Sequence, residues 1–347
     1  MSDHAALFRD RTVLVTGGTG SIGSEIVRNL LPHAPRAVRV VSRDDTKQFE
    51  LQQRYPDVGA LRMLIGDVRS RERMTRAMAG VDVVFHAAAM KHVPACEFNP
   101  FEATETNVRG AQNVVEAALD AGVQRVLGIS TDKAVDPTNV MGATKLLAER
   151  LLSAAEKYKG AAPTRFASVR FGNVIGSRGS LVPLVHAQVA AGGPVTITDP
   201  EMTRYLMPVD DAVRLCFDAM ARMQGGEVFI LKMPRVRIGD LVEVLVEAYA
   251  PLFGKRAADI ELRTIGARAG EKHDEVLLTD DEAAVAESVD GMLVVPPPSA
   301  PRTEATPRAP AGGGRGDEPP LDRQQIRDLL ERAGWLRPAA PSPGYPG

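Results

Sequence analysis

The chain is poor in cysteine and tryptophan, carries no excess of either charge, and has no long apolar run. Two cysteines, Cys96 and Cys216, are too few for a disulfide framework in 347 residues. Both are expected to be small buried side chains in a reducing, cytoplasmic setting. With 42 Lys and Arg against 44 Asp and Glu, the net charge is −2, which excludes a bulk affinity for nucleic acid or an acidic membrane surface. An anionic substrate has to be met by a few placed arginines. The 6 histidines lack the tight spacing of a metal site. No stretch approaches the ~20 apolar residues that span a bilayer. The charged segment Met1–Arg11 is not a signal peptide.

What is present is an alternation of short apolar runs with amphipathic stretches. Strands are expected at Thr12–Thr16, Val38–Ser42, Arg62–Ile65, Val81–Ala88, Arg125–Ser130 and Val169–Val174. Helical patterns lie between them at Ser24–Leu31, Lys47–Arg54, Arg71–Met78, Val108–Ala121 and Gly142–Lys157. Apolar strands alternating with helices predict an α/β fold, a doubly wound parallel sheet covered on both faces, with right-handed crossovers. Further on, Leu181–Ala191, Asp210–Met223 and Ile238–Ala250 read as helices, and Glu227–Met233 and Asp259–Thr264 as strands. The expected organisation is a Rossmann domain over 1–174, joined by about 205–235, and a smaller, mainly substrate-binding region over 175–295. Residues 296–320, rich in Pro, Gly and charge, read as a flexible linker, with the Arg-Gly-Asp at 315–317 a chance occurrence. Residues 321–347 hold a short amphipathic helix and a tail.

Between the first strand and first helix stands Gly17-Gly18-Thr19-Gly20-Ser21-Ile22-Gly23. Glycines at 17, 20 and 23 allow a tight turn and a close approach of backbone to pyrophosphate, which the helix N-terminus then attracts. In that context the motif points to a dinucleotide. The second strand ends in Ser42-Arg43-Asp44, with Lys47 one turn on. An acidic residue there suits the ribose hydroxyls of NAD and an arginine the 2′-phosphate of NADP; Arg43 favours NADP. Asp67, with Val68, ends the third strand and suits the adenine amino group. Small residues at Ala87, Ala88 and Ala89 would let the cofactor lie across the strand ends. Asn107 is also assigned to the cofactor.

The fifth strand leads into Ser130-Thr131-Asp132-Lys133, and Met141-Gly142-Ala143-Thr144-Lys145 follows. Here the chain resembles the extended short-chain dehydrogenases/reductases, which carry Tyr-x-x-x-Lys on this helix. Lys145 occupies the lysine position; Met141 stands at the tyrosine position, where a thioether can transfer no proton. The longer string STDKAVDPTNVMGATK resembles the UDP-N-acetylglucosamine 4,6-dehydratases of bacterial polysaccharide synthesis, in the branch with methionine there. Co-linear support comes from Met90–Pro94, Arg170–Val174 with its Gly-Ser loop, Thr198–Arg204 and Gly270-Glu271-Lys272. The segment before Gly270 reads Arg-Ala where Arg-Pro is frequent in the family.

The resemblance implies oxidation at C4 of the sugar, loss of water across C5–C6 and return of hydride to C6. It makes Asp132 the acid for the C6 hydroxyl, Lys133 the C5 base, Thr131 a hydrogen-bond partner of the 4-oxygen and Lys145 a ligand of the nicotinamide ribose. The base for the 4-hydroxyl stays open, with Asp132, directly or through water, preferred. Lys91, His92, Arg170, Asn173, Ser180, Arg204, Arg268 and Glu271 are assigned to the UDP-sugar. Long members of the group carry membrane helices ahead of this domain; this chain begins at the domain and is expected to be soluble. Relatives assemble, so a homo-oligomer is expected. An epimerase, a dehydratase for another nucleotide sugar and a non-catalytic NADP-binding sensor are the rival readings.

Overall fold

The structure, a computed structural model, describes residues 4–297 and 313–336. These form two compact units. The first comprises residues 4–171, 210–232, 276–297 and 313–315; the second comprises 172–209, 233–275 and 316–336.

In chain order the first unit contains β1 (Thr12–Thr16), α1 (Ser21–Leu30), β2 (Ala37–Ser42), α2 (Asp45–Gln53), β3 (Leu61–Ile65), α3 (Arg71–Met78), β4 (Val83–His86), α4 (Gly110–Ala121), β5 (Arg125–Ile129), α5 (Val140–Tyr158), β6 (Arg165–Arg170), α6 (Val209–Arg222), β7 (Val228–Leu231), β8 (Glu287–Val289) and β9 (Met292–Val295). The sheet runs β3-β2-β1-β4-β5-β6-β7, all parallel, and β9 then β8 add on antiparallel. This is the strand order of dinucleotide-binding sheets, which take ligand at the carboxyl ends of the strands. Central strands buried on both faces explain the apolar runs: all five residues of β1 are buried. Met74, Ala77 and Met78 of α3 pack with Val114, Ala117 and Ala118 of α4 in one cluster over the sheet. Side chains cap helix starts, as Ser70 does for α3 and Asn139 for α5.

Several boundaries differ from the sequence reading. β4 stops at His86, two residues short of the expected Ala88. The strand expected at Val169–Val174 is β6, which starts and ends four residues earlier; a separate two-residue strand, Asn173–Val174, belongs to the second unit. The break falls at Gly172, where an added Cβ would lie 2.7 Å from the Tyr205 Cβ. Residues 276–295 were expected in the substrate-binding region but join the first unit, where β9 pairs with β7. The expected linker is tied down over its last residues. Gly314 accepts hydrogen bonds from the Leu277 and Leu278 amides, and in the second unit Arg235 donates to the Gly316 and Glu318 carbonyls. The rest of that segment, and the tail beyond 336, lie outside the described residues.

In the second unit Thr203–Met207 pairs with Asn173–Val174 and with Arg235–Arg237. Helices Leu181–Ala191, Ile238–Tyr249 and Arg323–Arg332 enclose a core of Val185, Val189, Leu241, Leu245, Ile326 and Leu330. Leu321–Ala333 was expected to be helical because its apolar residues recur at helical spacing, and Ile326, Leu329 and Leu330 are the buried ones.

Candidate active site

The glycine turn has the shape its residues demand. Gly17 has φ +65°, and a Cβ there would lie 2.7 Å from backbone atoms of Ala88. Gly23 approaches the Gly17 carbonyl so closely that a side chain would collide with it. Thr19, Ser21 and Ile22 sit between, partly buried, and the 10-residue α1 starts at Ser21. This backbone cradle fits a pyrophosphate.

At the end of β2, Asp44 caps α2: its carboxylate accepts from the Lys47 amide (2.9 Å) and the Lys47 ammonium (2.7 Å). Arg43 is open, its side chain 59% exposed, and lies 3.9 Å from Asp67. Partial burial opposes ionisation of Asp67, but hydrogen bonds from Arg69 outweigh it and hold the carboxyl below its ordinary value. Val68 is buried against Gly110, so its side chain belongs to the core. Ala87 and Ala88 are partly buried and Ala89 exposed.

Asn107 was assigned to the cofactor, but its amide serves the backbone. It accepts from the Met90 amide (2.8 Å) and donates to the Met90 carbonyl (3.0 Å) and Thr144 Oγ1 (3.0 Å). It therefore fixes the loop after β4 onto α5.

Sequence reasoning missed His86. It is buried at the end of β4, and its Nδ1 shares a hydrogen bond with Thr16 Oγ1 at 2.7 Å. Burial, aided by the charge of Lys145, pushes its pKa down to about 3, so the ring is neutral. The available signal was a lone polar residue inside the apolar run of β4.

Beyond β5 the chain makes one tight turn, Asp132–Ala134. Asp132 is 0% exposed. Its Oδ1 accepts from Thr131 Oγ1 (2.9 Å) and the Lys133 ammonium (3.0 Å), while its Oδ2 is buried with no hydrogen-bond partner. A buried carboxylate oxygen without a partner is costly. The start of α5 is pressed against this turn: a Cβ on Gly142 would lie 2.1 Å from the Lys133 carbonyl oxygen.

On α5, Met141 is buried with Cys96, Ala103, Met90 and Val93. The residue at the tyrosine position thus fills a small apolar cluster. One turn on, Lys145 is buried and donates to the Ile129 carbonyl at 2.5 Å. Burial lowers its pKa to about 8 against the pull of Glu149.

Two arginines assigned to substrate are structural. Arg170 is 1% exposed; its fork binds Glu149 (3.1 and 2.7 Å) and Glu282 (2.7 and 3.1 Å), and it donates to the Leu277 carbonyl (2.8 Å). Every donor direction is occupied, and the segment 277–282 is fastened to α5 and β6. Arg204, in the second unit, is likewise buried, donating to the carbonyls of Thr203, Lys272 and His273 and to Glu271 (3.2 Å). It fastens the Gly-Glu-Lys loop, and Glu271 is its partner. Arg268 is exposed, as are Lys91 and His92; Asn173 is partly buried. Ser180 precedes helix Leu181–Ala191, and its hydroxyl is buried without a partner. Among the described residues no group of three His, Cys, Asp or Glu could hold a metal ion.

The parallel sheet with its glycine turn, and a lysine on the helix that follows the fifth strand, define a Rossmann-type enzyme scaffold of the extended short-chain dehydrogenase/reductase class. Residues 13–297 match the model of the family described as polysaccharide biosynthesis protein, and the chain belongs to that family. It is 53% identical over 295 residues to an uncharacterised membrane protein of Methanocaldococcus jannaschii, a match covering 85% of this chain and 88% of that one. It is 40% identical to a UDP-N-acetylglucosamine 4,6-dehydratase (inverting) of Campylobacter jejuni, covering 84% of each. It is 41% identical to a UDP-glucose 4-epimerase of Rickettsia prowazekii, again covering 84% of each. The X-ray structure of Pen from Bacillus thuringiensis superposes with a TM-score of 0.90 at 44% identity, covering 95% of this chain and 99% of that one. Among the described residues no helix is long and apolar enough to cross a membrane.

Proposed function

We propose that the chain is a nucleotide-sugar 4,6-dehydratase acting on UDP-N-acetylglucosamine. The observation that carries the reading is the Asp132–Lys133 pair at the end of β5, with Asp132 Oδ2 buried and unpartnered. The glycine cradle would hold a nicotinamide dinucleotide, with Lys145 toward its ribose. Asp44 already caps a helix and Arg43 is open, which favours NADP over NAD. Bound there, the nicotinamide would take hydride from C4 and return it to C6.

The side chains handle the protons. Thr131 and Lys133 engage Asp132 through Oδ1, which leaves Oδ2 as the oxygen proposed to serve the sugar. Asp132 accepts the 4-hydroxyl proton. The 4-ketone acidifies C5, and Lys133, in the amine form that this step requires, takes the C5 proton. Asp132 then passes its proton to the departing C6 hydroxyl, which leaves as water. Lys133 returns its proton to C5, and both groups end as they began. The face of that return sets retention or inversion at C5. Lys91 and His92, on the same unit as Asp132 and Lys133, are proposed as further substrate contacts. Exposed Phe98 and Phe101 on the first unit favour a homo-oligomer, which sedimentation checks.

The relationship to the Rickettsia protein favours a second reading, 4-epimerisation, which shares the C4 oxidation. Proton NMR and mass spectrometry of the protein incubated with UDP-N-acetylglucosamine distinguish the two. Dehydration gives a 4-keto-6-deoxy sugar lighter by one water, with C5 deuterated in heavy water. A product of unchanged mass sinks the dehydratase reading. Lys133→Met should abolish turnover while leaving cofactor binding intact.

A further inference from the structure

A buried charge network behind the catalytic turn has no task in the reaction just described. Lys145 and Glu149 stand one helical turn apart on the same face of α5, and both are buried. Glu149 is not free to turn away, because Arg170 binds both its oxygens. Arg170 is held from its other side by both oxygens of Glu282. Glu282 is fixed in turn by a capping box with Thr279 on the short helix Asp280–Ala283. Arg150, 53% exposed, lies 3.7 Å from Glu282; within the buried part, Glu149 and Glu282 against the one guanidinium of Arg170 leave one net negative charge, in an interior where charges act strongly.

We propose that Glu149 is a positioning residue for Lys145: clamped by Arg170 and Glu282, its carboxylate keeps the Lys145 ammonium charged and in place for a nicotinamide nucleotide. The inference rests on the assignment of Lys145 to the cofactor made above. Other titratable groups on the surrounding elements are otherwise engaged. His86 on β4 is neutral, and Asp132 and Lys133 pair with each other. Glu97 accepts from the Val140 amide at the start of α5, and Glu105 and Arg109 ahead of α4 are exposed. That leaves Glu149 as the anion that opposes the loss of the Lys145 proton caused by burial.

The test is NADPH and NADH affinity, read by nucleotide fluorescence from about pH 6 to pH 10. In the wild type, affinity should fall as Lys145 loses its proton. Glu149→Gln keeps the size and an acceptor for Arg170 but removes the charge. It should move that alkaline limb down by about one pH unit, with affinity at the acid end unchanged. Glu282→Gln, one guanidinium further away, should move it the same way by less. If Glu149→Gln fails to fold, Glu282→Gln carries the test alone. A limb that stays put in a folded variant, or an affinity lowered equally at every pH, overturns the inference and leaves the dehydratase reading standing. A wild type that binds neither nucleotide at any pH overturns the cofactor assignment, and the inference with it.

Discussion

Replacing Arg170 by methionine separates a structural arginine from a substrate arginine. The change leaves Glu149 and Glu282 facing each other in the interior without the guanidinium that pairs with both. Breaking a buried pair by removing one partner costs about 3–5 kcal/mol, because the remaining charge is uncompensated. For a unit of this size that corresponds to a fall in Tm of roughly 6–20 °C. The loss depends on pH with a definite sign. Burial opposes ionisation of Glu282, yet Arg170 holds its pKa below the ordinary 4.5. Its contribution is therefore full above that value and fades as pH falls through the folded-state pKa. Urea unfolding at neutral pH and again near pH 4 should show the gap between wild type and variant shrinking in acid. Because an apolar replacement of a whole buried ion cluster is often neutral, Glu149→Leu, Arg170→Met and Glu282→Leu together should recover most of the stability. If Arg170→Met instead kept the wild-type Tm and only weakened UDP-sugar binding, the reading of Arg170 as a buried tie would be wrong.

Three further outcomes follow from the geometry. His86, neutral down to about pH 3 when folded and titrating near 6.5 when unfolded, should cost stability as pH drops below 6.5, about 2 kcal/mol by pH 5; a His86→Gln variant should lack that slope in urea midpoints, and an identical slope would refute it. Met141→Tyr should overfill the cluster with Cys96 and Ala103, lowering stability by about 1–3 kcal/mol without raising turnover; a gain in kcat would show that the ring reaches the substrate. Gly17→Ala should abolish NADPH binding, since the new methyl meets Ala88 and the left-handed turn disfavours it; retained affinity in a titration would refute the cradle.

Much of the fold was legible because the signals are local. Strands buried on both faces must be apolar, so β1, β2 and β5 stood out as runs. α3 and the helix Leu181–Ala191 have the ends expected from their periodicity. The glycine turn was legible because positive φ and close approach both demand glycine. The turn Asp132–Ala134 directly after β5 was expected at the end of a central strand, and the roles proposed for Asp132 and Lys133 came from the family resemblance. Roles that depend on partners distant in sequence were not legible. Arg170 and Arg204 carry the side chain that suits a phosphate, and nothing local shows that Glu149, Glu282 or the carbonyls around 272 already surround them. His86 was passed over for the same reason, since its partner Thr16 lies 70 residues away.

Composition and periodicity thus determined the parallel sheet, the dinucleotide turn and the order of the elements, because each follows from backbone geometry and burial within a few residues. Only the tertiary structure decided which polar side chains remain available for chemistry. An arginine in contact with two buried carboxylates and an arginine awaiting a phosphate have the same sequence signature. They differ only in which groups the fold brings within hydrogen-bond distance.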